Sequence, residues 1–228
     1  MLHNPILLLF LTLLCFLGAQ ALQSKTGWLL LNPILVAIAL IICYLSLTRT
    51  SYAEYQAAGK LLDFWLKPAI VALGVPLYRQ LTAIRKQWLP ILLSQLLGCI
   101  VGLVSVVGIA KLLGASRIVQ LSLAPKSVTT PIAMEVAQML GGIPALAATV
   151  VIFTGLFGAI AGYFILKVAG IRNPISQALA MGAASHALGT ASVAGNSLSQ
   201  SAYASLALSL NGIFTALLTP SILAMLGW

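Results

Sequence analysis

Lys126 and its neighbours form the densest group of chemically capable residues in this sequence. In Pro125-Lys126-Ser127-Val128-Thr129-Thr130-Pro131 a cation stands beside three hydroxyls, inside an otherwise apolar stretch. A half-helix beginning near Thr130 would point free backbone N–H groups and its positive dipole end the same way, which makes an anion site. The plainer reading is a lysine snorkelling to an interface beside an ordinary helix cap.

Two further residues carry ionisable groups within apolar surroundings. Glu135 follows nine residues after Lys126, across Pro131, so the two need not share a helix face. An ionisable group at membrane depth costs about 2.5–3.5 kcal/mol on insertion scales, so it normally faces a cavity or a partner. His186 sits in Gly182-Ala183-Ala184-Ser185-His186-Ala187-Leu188-Gly189-Thr190. It is suited to relaying protons near neutral pH and equally suited to bonding between helices. Asn196 and Asn211 are further polar residues, the second read as helix glue.

Catalysis finds little material here. The chain has 3 Asp/Glu residues in all. Glu54 and Asp63, near Tyr52, Tyr55 and Lys60, suit interfacial packing. Ser185 beside His186 is no nucleophile–base pair, because adjacent helical residues face different ways. No nucleotide-binding loop is present. Cys15, Cys43 and Cys99 lie in apolar runs with no metal-ligand spacing and read as small hydrophobes. The chain is expected to be no enzyme and to carry no cofactor or metal.

The elements that position these residues follow from composition. Of 228 residues 61% are hydrophobic and 7% charged, with a net charge of +9; mean hydropathy is +1.07. Soluble domains carry about 25% charge, so a polytopic all-α membrane protein is expected, its partner the lipid bilayer. The basic residues are scattered between apolar runs, which argues against nucleic acid. A spanning helix needs roughly 20 apolar residues. Pro5–Leu22, Trp28–Thr48, Gln87–Ala110, Ile143–Leu166 and Ser201–Gly227 approach or exceed that, giving about five full spans, with Trp28, Trp88 and Trp228 at their ends. Ala19-Gln20-Ala21 resembles a signal cleavage site, but no basic residue precedes the apolar run, so a retained helix is expected.

Three other stretches, Leu61–Leu81, Leu121–Leu140 and Asn173–Asn196, are apolar but interrupted. Pro68, Pro76, Pro125, Pro131, Gly182 and Gly189 are the expected breaks. Broken backbone at membrane depth needs protein or a wet cavity around it, and in transporters it builds the substrate site. Residues 66–114 and 123–170 share a Pro-bearing broken segment, a second proline opening a clean span, and a closing Lys-x-x-Gly. They are expected to be repeat units within a single membrane domain, 1–228. If the broken segments are re-entrant, the units are inverted. Arg49, Lys60, Arg79, Arg85, Lys86, Lys167 and Arg172 then fall on one side, and Lys25, Lys111 and Arg117 on the other, as the positive-inside bias asks.

At these residues the chain closely resembles the LrgB/CidB family of bacterial membrane proteins, over nearly its whole length. The resemblance is carried by Ser51–Tyr55 with Gly59, by Pro68–Tyr78, by Leu123–Glu135 with Gly141-Gly142, and by Ala184–Ala191. The third motif is the most specific. Two departures stand out. Ala183 replaces a threonine usual in the family, and Ser192 replaces a basic residue; residues 193–199 also lack the acidic groups common there. If that basic residue touches an anion or closes a gate, specificity differs here.

The resemblance implies two functions. Bacterial members are described as antiholin-like or holin-like regulators of murein hydrolase activity and autolysis, acting with a smaller LrgA/CidA-type partner. A plastidal relative resembles a glycolate/glycerate transporter, and some bacterial members are linked to pyruvate uptake. The residue reading favours an inner-membrane carrier of small monocarboxylates, with antiholin-like regulation as the alternative. Lys126, Ser127, Thr129 and Thr130 are expected to hold the carboxylate. Ser185, His186 and Thr190 are expected to line the opposite wall, and Glu135 or His186 to couple a proton. A homo-oligomer is also expected.

Overall fold

The computed structural model describes residues 4–28, 31–72, 74–194 and 197–227. Asn196 and Trp228 lie outside them, as do the side chains of Asp63, Lys67 and Pro76. All regular structure among the described residues is helical, in two compact units, 1–72 and 73–228.

The first unit holds α1 (Pro5–Thr26), α2 (Pro33–Thr48) and α3 (Tyr52–Ala72). Asn4 and Asn32 cap α1 and α2, each accepting from the backbone N–H two residues on, with proline as the first helical residue. That Asn32-Pro33 start corrects one expectation. The predicted span from Trp28 is only 16 residues long as α2, about 24 Å at 1.5 Å per residue, against a hydrocarbon core of about 30 Å. α3 opens with a capping box. Ser51 N donates to Glu54 Oε2 (2.9 Å) and Glu54 N to Ser51 Oγ (3.3 Å). The Thr12 and Tyr55 hydroxyls, 3.1 Å apart, tie α1 to α3.

Pro68 is not a break: α3 runs through it to Ala72. Pro76 falls in the first turn of the next helix, where a proline leaves no intrahelical bond unmade.

The second unit holds α4 (Gly74–Arg79), α5 (Leu81–Lys86), α6 (Trp88–Leu112), α7 (Arg117–Leu123), α8 (Thr130–Met139), α9 (Pro144–Val168), α10 (Pro174–Ala194) and α11 (Leu198–Met225). α1, α6, α9 and α11 are long and apolar enough to cross a membrane. Among the described residues, four helices of spanning length and one short apolar helix therefore stand where about five full spans were expected.

Packing fixes the direction of each element in this unit. α6 begins at one end, here the near end, and its later residues Leu103 and Val107 pack with Leu121 and Ala124 at the far end. α7 enters there after Gly114, whose φ of +75° ends the preceding helix. The chain turns at Ala124–Thr129 and α8 returns. Ser122 Oγ accepts from Ile143 N at 2.7 Å, which ties the end of α7 to the start of α9.

α9 then runs back to the near end, where Tyr163 and Leu166 pack with Ile84, Ile91 and Ile175. α10 starts there and bends at His186, with φ 43° and ψ −134°. Val193 comes back to lie in one cluster with Ala178 and Met181, so α10 is a second hairpin, entered from the near end. α11 crosses from Tyr203 in the near-end cluster to Leu223 at the far end. Span followed by hairpin thus occurs twice, over residues 88–139 and 144–194, in opposite directions.

Both hairpins are broken helices, as Pro125, Pro131 and the glycine-rich second stretch suggested, but the devices differ. Pro125 lies in the first turn and Pro131 at the start of α8. In the second hairpin the bend is His186 itself. Gly182 and Gly189 are close-approach positions instead: a Cβ on Gly182 would strike the Ala204 carbonyl, and one on Gly189 the Met181 carbonyl.

Candidate functional site at the hairpin tips

The two tips meet around Asn211. Its Nδ2 donates to Ser127 O at 2.8 Å and to Ala183 O at 3.0 Å, so one buried amide on α11 bridges the first hairpin's turn to the second hairpin. Beside this bridge lies a cavity of about 400 Å³, bounded by α6, the α7–α8 turn, α10 and α11. Its polar lining includes Ser94, Gln95, Lys126, Ser127, Asn211 and Thr215. Lys126 Nζ donates to Ser127 Oγ at 2.8 Å and is paired with no carboxylate among the described residues. A second, more apolar cavity of about 250 Å³ lies between α9 and α10. Lys126, Ala180 and Ala184 line both cavities, so the ammonium stem stands in their common wall.

The predicted residues divide accordingly. Lys126 and Ser127 line the larger cavity, and Ser185 lines the smaller one with Lys126. Thr129 is the N-cap residue of α8, with no side-chain cap bond, and Thr130 is its first residue. Both are half-buried and line neither cavity.

His186 and Thr190 are buried and serve the hairpin itself. His186 Nε2–H donates to Val151 O at 2.8 Å. Thr190 Oγ1 donates to His186 O at 2.9 Å and lies 3.5 Å from Ala204 O. Glu135 is exposed on α8 and lines neither cavity. Among the described residues no group of three or more His, Cys, Asp or Glu residues could hold a metal ion.

Gln95, Asn211 and Thr215 were not singled out by sequence as site residues. The signal available was an amide inside a long apolar span, which is also how ordinary helix glue reads. Of the two departures from the family pattern, Ala183 lines the larger cavity, where a threonine would add a hydroxyl. Ser192 is exposed and donates to Gly189 O at 2.7 Å.

The bend at His186 gives a direct test of local strain. Its φ and ψ match the first central position of a type II′ turn, which glycine occupies at no steric cost. Other residues there cost about 1–3 kcal/mol. His186→Gly relieves that strain while losing the Val151 bond; His186→Ala loses the bond and keeps the strain. The glycine variant is therefore expected to melt higher than the alanine variant in detergent. The reverse order would contradict the assignment.

Opposed hairpins meeting at a polar, solute-sized cavity among long apolar helices define a multi-pass α-helical membrane protein. The chain belongs to the LrgB-like family, whose model matches residues 12–225. It is 33% identical over 211 residues to the Antiholin-like protein LrgB of Bacillus mycoides (strain KBAB4), covering 92% of each chain. The same figures hold for the Antiholin-like protein LrgB of Bacillus cereus (strain B4264). No solved structure matches the chain.

Proposed function

We propose that this protein serves in the bacterial cytoplasmic membrane as an antiholin-like regulator of murein hydrolase activity and autolysis. It is proposed to be non-enzymatic and to act with a small LrgA/CidA-type membrane partner. What supports this is kinship along the chain: relatives aligned over 92% of their length are named antiholin-like. Deleting the gene is expected to change the rate of induced autolysis, and returning it with its partner gene to restore that rate. Unaltered lysis in the deletion strain would overturn the reading. Arg85, Lys86, Lys167 and Arg172 flank the near end and Lys111 and Arg117 the far end, which favours a cytoplasmic near end.

A second reading is favoured by one observation, a Lys126 ammonium that meets no carboxylate among the described residues, in the wall of a cavity of about 400 Å³ at the hairpin tips. That arrangement suits a carrier of small monocarboxylates of the glycolate, glycerate, lactate or pyruvate type. Vesicles reconstituted with the chain, alone and with its partner, would show saturable uptake of such an acid; no flux of any of them would sink it. Proton coupling, if present, is not expected to run through the exposed Glu135. Glu135→Gln should leave uptake close to the parent's, because Glu135 lines neither cavity. A tenfold loss or an abolished pH dependence would return Glu135 to the mechanism.

A further inference from the structure

We propose that the near end of the second unit carries a headgroup site for anionic phospholipid, formed by Arg85, Lys86, Lys167 and Arg172. The site requires neither of the two functions proposed above.

The four cations come from two separate connections, and packing gathers them. Arg85 and Lys86 close α5, while Lys167 and Arg172 bracket the turn from α9 to α10. Ile84, Leu166 and Ile175 belong to one apolar cluster at the near end. Arg85 directly follows Ile84, Lys167 directly follows Leu166, and Arg172 stands three residues before Ile175. Consecutive Cα atoms are about 3.8 Å apart, so the cluster brings cations of both connections to its edge. All four residues are exposed, and none forms an ion pair among the described residues. From residue 73 onward the sequence has a single carboxylate, Glu135, on α8 of the hairpin entered from the far end. The second unit therefore gathers positive charge that it does not itself neutralise.

The positive-inside bias needs only an excess of basic residues on one side. It does not require two connections to converge. Arg85, Lys86 and Lys167 also stand in last helical turns, where a cation complements the helix dipole, but their outward donors still need acceptors. Depth points to a lipid as the source of those acceptors. Trp88, 60% exposed, opens α6 two residues after Lys86, and a tryptophan at the end of a span sits at headgroup level. Basic residues just outside a span attract anionic lipid. The two arginines offer planar forks that match a phosphate, and the two lysines add point charges. A phosphate held among them would clamp α5 to the α9–α10 connection.

Equilibrium binding of lipid to the purified full chain in neutral detergent is the test, with phosphatidylglycerol, phosphatidylcholine and inorganic phosphate as probes. Phosphatidylglycerol is expected to bind at least about tenfold tighter than phosphatidylcholine at low salt, and the preference to shrink as salt rises. Arg85→Gln and Arg172→Gln, one from each connection, should each lower that preference about fivefold, the scale of one basic residue at an anionic surface. Arg117→Gln at the far end should leave it unchanged. Equal binding of the two lipids would overturn the proposal, whether or not the variants fold. A loss in Arg117→Gln as large as in Arg85→Gln would overturn it too, because net charge alone would then set the preference. Displacement of the lipid by inorganic phosphate at equal concentration would make the patch a soluble-anion site instead. Displacement by a small membrane partner at stoichiometric amounts would make it a protein interface. Either result would overturn the assignment to lipid.

Discussion

Lys126→Ala is expected to weaken binding of a small monocarboxylate by about tenfold to a hundredfold and to lower uptake in parallel. A charge-assisted hydrogen bond contributes about 1.5–3 kcal/mol, and each 1.4 kcal/mol is about a factor of ten. The low dielectric around a membrane cavity pushes toward the upper end of that range. The fold should survive, because among the described residues Lys126 bonds through its side chain to Ser127 Oγ alone, while the tips are held by Asn211. A melting temperature close to the parent's, with binding lost, is the expected pair of results. Lys126→Arg keeps the charge but presents a planar fork in place of a compact ammonium, so partial binding is expected. Unchanged uptake in a folded Lys126→Ala protein would remove the cation from the site.

Gly182→Ala is expected to be strongly destabilising, costing about 1–3 kcal/mol or more as overpacking. α10 and α11 approach so closely that a Cβ at Gly182 would meet the carbonyl and Cα of Ala204, which are backbone and cannot rotate aside. Gly158 on α9 is a contrasting case. Its Cβ would run into the Ser185 side chain, so Gly158→Ala should be rescued in part by Ser185→Gly. No side-chain substitution should rescue Gly182→Ala. Detergent melting curves of the three variants check this. Parent-like stability of Gly182→Ala would mean that α10 and α11 are farther apart than described.

The spans were legible because α6, α9 and α11 each coincide with a long apolar run, and membrane insertion leaves few other solutions for such a run. The first hairpin was legible for the same local reason: Pro125 and Pro131 forbid a continuous helix. α2 fell short because Asn32-Pro33 is a start signal, and hydropathy alone overrides it with the apolar residues before it. The second bend was harder to place. Nothing local makes His186 adopt positive φ in preference to Gly182 or Gly189. The choice comes from distant partners, the Val151 carbonyl that holds the ring and Gly155, where any Cβ would strike it. The same holds for the site. Lys126 could be recognised as a cation in an apolar stretch, whereas Gln95 and Asn211 acquire meaning only when the tips converge on them.

Cys99 offers the most direct measurement of whether the cavity at the tips takes a small carboxylate. It lines that cavity within hydrogen-bond distance of Thr215, at 3.4 Å, and the other two cysteines, Cys15 and Cys43, are in the first unit. In a Cys15→Ala/Cys43→Ala protein, the rate of Cys99 alkylation by a small neutral maleimide would be followed with lactate titrated in. Saturable protection that disappears in Lys126→Ala is the predicted result. Alkylation at an unchanged rate across lactate, glycolate and pyruvate would contradict it.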